Sequence, residues 1–291
     1  MWLLTAIGSA VLFGLAGWWM KVSQMKGGSS NGLLFGLYVS GTLGFGVHSA
    51  VEGTLSGIAD WRLLAAGLVI GAGSAWGNAL FMKSLEYGPA SLTSPLTNMN
   101  IALVVGMGIV VYDEPVSAAE WTGIALLLLS VVFVSIRGKE PLTVTQRRWF
   151  VLVIAAIFLF AFRNGGLKVT EQLELASAPV LLVGYALSLL WFRQLDAADR
   201  NRIVPASSPD PAVASRRGFR WGLLAGLFSY AGLQLYAVAL ETGKASIAAP
   251  VFATNSLVVA LGSIVLYRER LTKLQWTAFA LTLAGLIVIR M

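Results

Sequence analysis

The chain has 291 residues, 57% of them hydrophobic and only 12% charged, with a formal net charge of +7. A soluble domain carries about a quarter of its residues as charges, so most of this surface must face lipid, and the positive balance bears on membrane orientation rather than on nucleic acid. There is no cysteine, which excludes disulfides and thiol chemistry.

In chain order, windows long enough to cross a bilayer and nearly free of charge fall at 2–20, 32–50, 63–81, 91–111, 119–136, 149–167, 176–192, 221–240, 246–266 and 274–289. Their apolar runs are continuous rather than alternating, so they are helices and not barrel strands. The first window has no Lys or Arg ahead of it and Lys21 behind it, which reads as a retained helix rather than a cleaved signal. Helix 1 carries Trp18, helix 2 His48, and helix 3 Trp76 and Asn78 among Gly67, Gly71, Gly73 and Gly77, spacings that let backbones approach. Thr93, Thr97 and Asn100 share one face of helix 4 at i, i+4 and i+7, and Pro95 falls in its first turn.

Residues 138–148 connect two halves, 1–137 and 149–291. In helix 6, Arg163 stands beside Asn164, well inside Lys168. A charge at the bilayer centre costs about 2.5–3.5 kcal/mol, so it faces a cavity or a partner. The structural alternative is a pair with Glu171 or Glu174, and Lys168 reads as an interface anchor. Tyr185 lies in helix 7. The Pro-, Ser- and Arg-containing segment 196–218 reads as a weakly ordered linker. Helix 8 places Tyr230 and Gln234 four apart on one face, among Gly222, Gly226 and Gly232, and helix 9 carries Pro250 and Asn255. Glu241 near the end of helix 8 reads as a partner for Lys244.

The two halves repeat. From Glu86 onward the sequence matches itself at an offset of 155, pairing Pro95 with Pro250, Asn100 with Asn255, Glu114 with Glu269 and Trp121 with Trp276; Leu12 to Ser23 match Leu159 to Thr170 at an offset of 147. Duplication within apolar spans is the mark of a transporter whose path runs between the repeats. Basic residues concentrate in the odd-numbered connections, which puts those in the cytoplasm and both termini outside. With five spans per half, the repeats are inverted.

These features resemble the EamA-type unit of the drug/metabolite transporter superfamily. The residues that carry the resemblance are Gly-Pro-Ala-Ser-Leu-Thr-Ser-Pro-Leu at 88–96, Tyr-Asp-Glu-Pro-Val at 112–116 with a following Trp121, and in the second copy Gly-Lys-Ala-Ser-Ile-Ala-Ala-Pro-Val at 243–251 and Leu-Tyr-Arg-Glu-Arg-Leu-Thr at 266–272. The resemblance implies an all-α membrane protein of ten transmembrane helices in two inverted five-helix repeats, and secondary transport of small metabolites through a central cavity. It leaves the substrate open.

The residues themselves rank substrates. Arg163 is the one charge deep in a span and would repel a bare cation, which favours a small polar or zwitterionic metabolite, amino-acid-like first, held by Arg163, Asn164, Asn100, Asn255, Thr97, Asn78, Tyr185, Tyr230 and Gln234. The alternative is a quaternary amine or drug on a wall of Trp18 and Trp76. A third reading is a non-transporting membrane sensor or assembly partner. A lone His48 and scattered carboxylates form no catalytic or metal cluster, so neither an enzyme nor a cofactor is expected. The expected setting is a bacterial inner membrane, with lipids and a small metabolite as partners, no nucleic acid, and a monomer as the working unit.

Overall fold

The computed structural model describes residues 2–84, 87, 96–135, 147–201, 210–267 and 273–288. Among these the regular elements are all helical: α1 (Trp2–Met25), α2 (Ser30–Val51), a short 3₁₀ turn (Thr54–Ala59), α3 (Trp61–Ser84), α4 (Asn100–Val110), α5 (Ala118–Ser135), α6 (Arg147–Gln172), α7 (Ser177–Arg200), α8 (Pro211–Thr242), α9 (Ala245–Ala253), α10 (Asn255–Tyr267) and α11 (Lys273–Val288). Helices α1, α2, α3, α6, α7 and α8 are each long and apolar enough to cross a bilayer. Shorter apolar stretches run over Leu96–Val110, Ala118–Ser130, Ala245–Val259 and Trp276–Val288. Large apolar side chains such as Leu4, Leu68, Val110, Phe158 and Leu227 point outward, as a lipid-facing surface requires.

The helices pack chiefly across the two sequence halves. Helix α1 lies on α8 and its counterpart α6 on α3; α2 lies on α8 and its counterpart α7 on α3; α2 meets α7, and α5 meets α11. Glycine sets the closest of these seams. A Cβ at Gly222 would collide with the Leu33 carbonyl of α2, and one at Gly71 would lie 2.7 Å from Gly184 of α7. The glycine-rich faces of α3 and α8 are therefore packing surfaces, where van der Waals contact must do the work that water does elsewhere.

The helix read as 246–266 is broken. Pro250 lies inside α9, not in its first turn, and the chain turns at Thr254 before α10 begins. Thr254 N–H donates to Val251 and Leu257 N–H to Thr254, both three residues back, at 3.1 and 2.9 Å. The matching position of the first half does the same: Met99 N–H donates to Leu96 and Ala102 N–H to Met99, at 3.1 and 2.9 Å. Tightening the turn releases a carbonyl in each half, and the matched asparagines take it: Asn100 Nδ2 donates to Thr97 O at 2.6 Å and Asn255 Nδ2 to Phe252 O at 2.8 Å. A discontinuous helix is tolerated in a membrane only where its backbone is satisfied in this way. Thr93 and Pro95 lie outside the described residues.

The segment 196–218 departs from the linker reading. Helix α7 continues to Arg200 and α8 begins at Pro211, leaving 202–209 outside the described residues. Asp210 caps α8 by accepting from Ala212 N–H at 2.8 Å, with Pro211 in the first turn where its missing N–H costs nothing. Asp196, 2% exposed, accepts from Ser215 Oγ at 2.6 Å and pairs with Arg200 at 3.2 Å. Asn31 of α2 donates to Asp199 at 2.6 Å. The polar residues that looked like linker composition are caps and ties. Of the connection 138–148, only Arg147 and Arg148 are described, and they open α6.

A polar clamp joins the α4–α5 turn to the start of α9. Asp113 takes a positive φ of 48°, and the Glu114 carboxylate that follows accepts from the N–H groups of Ala245 and Ser246, both at 2.8 Å. It thus satisfies two of the orphan donors of α9 and sits at the positive end of its dipole. Ser117 and Glu120 form a capping box on α5, at 2.7 and 3.2 Å. Lys244 reaches across to Glu120 at 2.7 Å and to the Pro115 carbonyl at 2.6 Å.

Two outcomes check this description. Gly222→Ala should cost about 1–3 kcal/mol by overpacking a backbone seam. Gly106→Ala, where an added Cβ meets nothing within 4 Å, should be neutral or gain about 0.5–1 kcal/mol; equal effects in thermal melts would argue against the seam. Glu114→Ala should lower stability by about 2 kcal/mol, as loss of a buried cap does, whereas Arg62→Ala, losing an exposed pair with Asp60, should cost far less. The reverse order in the same melts would contradict the clamp.

Candidate functional site

Arg163 is buried in the middle of α6, 7% exposed, between the two halves of the chain. Gly73 of α3 makes room for it: a Cβ there would lie 3.0 Å from the Arg163 backbone nitrogen. The guanidinium is aimed by a one-way chain of amides. Arg163 Nε donates to Asn164 Oδ1 at 3.0 Å, Asn164 Nδ2 donates to Asn100 Oδ1 at 2.8 Å, and Asn100 Nδ2 is committed to the Thr97 carbonyl at 2.6 Å. The helix break in the first half therefore orients the arginine of the second.

The faces of the guanidinium are covered by rings. Its Cζ lies 4.7 Å from the centroid of Phe160 and 5.3 Å from that of Phe13, a geometry worth about 0.5–2 kcal/mol per ring. The expected alternative, a pair with Glu171 or Glu174, is not formed: Glu171 bonds Lys168 at 2.8 Å. Among the described residues no carboxylate touches Arg163, and its terminal nitrogens make no hydrogen bond to protein while not being among the fully enclosed polar atoms. The arrangement presents two free, forked donors of positive charge in an apolar frame, the geometry that binds a carboxylate or phosphate edge.

The other sequence candidates divide. Thr97, Asn100, Asn164 and Arg163 form the single chain just described. Tyr185 and Asn78 stand close to it: Tyr185 OH shares a hydrogen bond with Ser229 at 2.9 Å, and Asn78 Nδ2 donates at 3.0 Å to the hydroxyl of Tyr38, which also bonds Ser74 at 2.9 Å. Asn255 caps its own helix break beside the aromatic cluster of Phe252, Phe13 and Tyr236. Gln234 donates to Ser177 at 3.3 Å, toward Glu241. Tyr230 bonds His48, which bonds Glu52, at 2.8 and 2.9 Å. Trp18 packs flat on Gly262 and against Trp19. Trp76 is 49% exposed and meets Trp191 edge-on, so it faces out of the bundle.

Lys168 is not an interface anchor. It is buried, pairs with Glu171, lies 4.0 Å from Glu114 and reaches the Leu240 carbonyl at 3.5 Å. It forms part of the wall of a cavity of roughly 520 Å³ at the end of the bundle where α1 begins, lined also by Trp2, Glu114, Glu120, Glu241, Thr242, Gly243, Lys244 and Ile247. Glu241 does not pair with Lys244, which is taken by Glu120; it accepts weakly from Ser177 at 3.5 Å instead. Glu86 lies outside the described residues. Lys168 follows Asn164 by one helical turn, so α6 carries a polar line from this cavity toward Arg163. No cluster of metal-ligating side chains occurs among the described residues.

Sequence reasoning missed Tyr38, Tyr236, Phe13 and Phe160. Tyr38 and Phe13 had a usable signal, since they lie 147 residues before Tyr185 and Phe160. Tyr236 had none, its counterpart at the 155 offset being Phe81.

Comparison with known proteins follows the fold. A solved crystal structure superposes on 98% of this chain and 94% of its own with a TM-score of 0.73 at 13% identity, a likeness of fold alone. Among curated proteins, the probable 4-amino-4-deoxy-L-arabinose-phosphoundecaprenol flippase subunit ArnE of Proteus mirabilis is 29% identical over 63 residues, 22% of this chain and 56% of that protein's length. The model of the EamA-like transporter family matches residues 1–136 and 203–291. With its long apolar helices, this chain is an integral membrane protein and belongs to the EamA-like transporter family of the drug/metabolite transporter superfamily.

Proposed function

We propose that this protein is a secondary transporter of a small carboxylate-bearing metabolite of amino-acid size, bound at Arg163 between two inverted five-helix repeats, 1–137 and 149–291, that open the cavity alternately to either side. The observation that carries the reading is a buried guanidinium that meets no carboxylate among the described residues and makes no hydrogen bond to them through its terminal nitrogens. Desolvating such an ion costs several kcal/mol, and a protein keeps one in this state where a ligand completes it. Reciprocal packing of the two halves and the paired helix breaks at Met99 and Thr254 support the repeat architecture. The basic odd-numbered connections support termini on the outer side of a bacterial inner membrane. A single chain supplies both walls of the site, so the working unit is a monomer.

Alternating access gives the surrounding groups parts to play. Asn164 and Asn100 hold Arg163 in register, so the ligand need not order the side chain on binding. The cavity behind Lys168 and Glu114 is the entrance at one end. The test is thermal stabilisation of purified protein by a panel of carboxylates, amines, sugars and nucleosides. Ligand at a hundredfold its Kd stabilises the folded state by about 2.7 kcal/mol, so carboxylates should raise the melting temperature of wild type and leave Arg163→Ala unmoved. A response to amines alone, surviving the substitution, would overturn the assignment. Flux of the active carboxylate into sealed proteoliposomes separates transporter from sensor, which would bind without moving it.

A further inference from the structure

The walls around Arg163 come in matched pairs, but the charge does not. Phe13 and Phe160 are 147 residues apart and present their rings to the same guanidinium. Tyr38 and Tyr185 are 147 apart, Ser74 and Ser229 are 155 apart, and each tyrosine bonds its own serine at the same distance, 2.9 Å. The two tyrosine rings meet edge to face at 5.0 Å. Arg163 and Asn164 break the pattern, because their counterparts are Ala16 and Gly17. The frame is aromatic on both sides and positive on one.

What the frame lacks narrows the ligand. Among the described residues, the carboxylate of α6 and those of the clamp are engaged elsewhere: Glu171 on Lys168, Glu114 on the start of α9, Glu120 on Lys244. Among the described residues no carboxylate contacts the guanidinium. The ammonium of a zwitterion would therefore be dehydrated beside a guanidinium with no acid among the described residues to receive it, a like-charge arrangement that rejects a ligand. One further donor is present. The Tyr236 side chain is fully buried and its hydroxyl has no partner. Its ring stacks on Phe252 at 4.4 Å, and Phe252 meets Phe13, the ring that faces Arg163, at 4.9 Å. A buried hydroxyl is rarely left unbonded without a function.

Resting on the Arg163 reading above, we infer that the site takes a net monoanion with an aromatic or branched apolar body in preference to a zwitterion, and that Tyr236 is the second donor to its carboxylate. Arg163 supplies the charge and the fork, Tyr236 the neutral O–H, and the paired rings the bed for the apolar body.

Three probes that share a phenylethyl unit test this: 3-phenylpropanoate, phenylalanine and phenethylamine, with dissociation constants measured at pH 7 on the detergent-purified full chain. 3-Phenylpropanoate should bind about tenfold or more tighter than phenylalanine, and phenethylamine not measurably, since a buried unpaired charge costs at least that much. Tyr236→Phe removes only the hydroxyl and should weaken 3-phenylpropanoate about tenfold, the worth of one hydrogen bond to a charged group, without lowering the melting temperature of the unliganded protein. Arg163→Gln should abolish binding. Phenylalanine binding as tightly as 3-phenylpropanoate, with both lost in Arg163→Gln, would overturn the monoanion inference while leaving the Arg163 site standing. Unchanged affinity in Tyr236→Phe would remove Tyr236 from the site. Failure of both carboxylates to bind, while another carboxylate still stabilises wild type and not Arg163→Ala, would overturn this inference and leave the Arg163 reading standing; failure of every carboxylate would overturn both.

Discussion

A buried guanidinium with no carboxylate beside it among the described residues is the constraint around which this molecule is arranged. Arg163 keeps one hydrogen bond, to Asn164, and two aromatic faces. A hydrogen bond to a charged group contributes about 1.5–3 kcal/mol, so these contacts offset part of the cost of burial and leave the terminal nitrogens unanswered. The amides that orient the arginine are tied in turn to a helix break, where Asn100 covers the carbonyl of Thr97. Local backbone geometry in one half thus sets the direction of a charge in the other.

The rest of the fold serves that junction. Glycine seams between α2 and α8, and between α3 and α7, bring the halves close enough for side chains of both to meet around Arg163. The Glu114 clamp fixes the start of α9 against the α4–α5 turn and so fixes one end of the second broken helix. These are the contacts that a membrane protein of small-residue seams relies on, since lipid supplies no hydrophobic drive for helices to associate. The aromatic frame repeats at the internal offsets while Arg163 faces Ala16 across them. The aromatic residues recur in both halves, and the polar pair Arg163 and Asn164 occurs in one.

Much of this was legible in the sequence, and the misses have physical causes. Continuous apolar runs located the long helices because bilayer thickness leaves few ways to read them. Arg163, Asn164 and Asn100 were found because a polar residue in a span is expensive wherever it sits. The segment 196–218 was misread because Asp, Pro and Ser serve equally in caps and in disordered loops, and only the burial of Asp196 against Ser215 separates the two. Lys168 was misread because its burial comes from elements far off in the chain, Glu114 at 4.0 Å and the Leu240 carbonyl at 3.5 Å, and sequence alone shows no such surroundings. Trp76 was placed on a wall of the site, although an aromatic residue in a lipid-exposed helix carries no mark of which face it occupies. Tyr236 could not be found at all, its significance resting on a hydroxyl that meets nothing.

The account depends most on an anion completing Arg163. The most direct measurement is an experimental structure of the protein with 3-phenylpropanoate bound. The account expects the carboxylate to bridge the two terminal nitrogens of Arg163, with the phenyl ring among Phe13, Phe160 and the tyrosines. Ligand found only in the cavity behind Lys168, or Arg163 paired with a protein carboxylate in the occupied state, would contradict it.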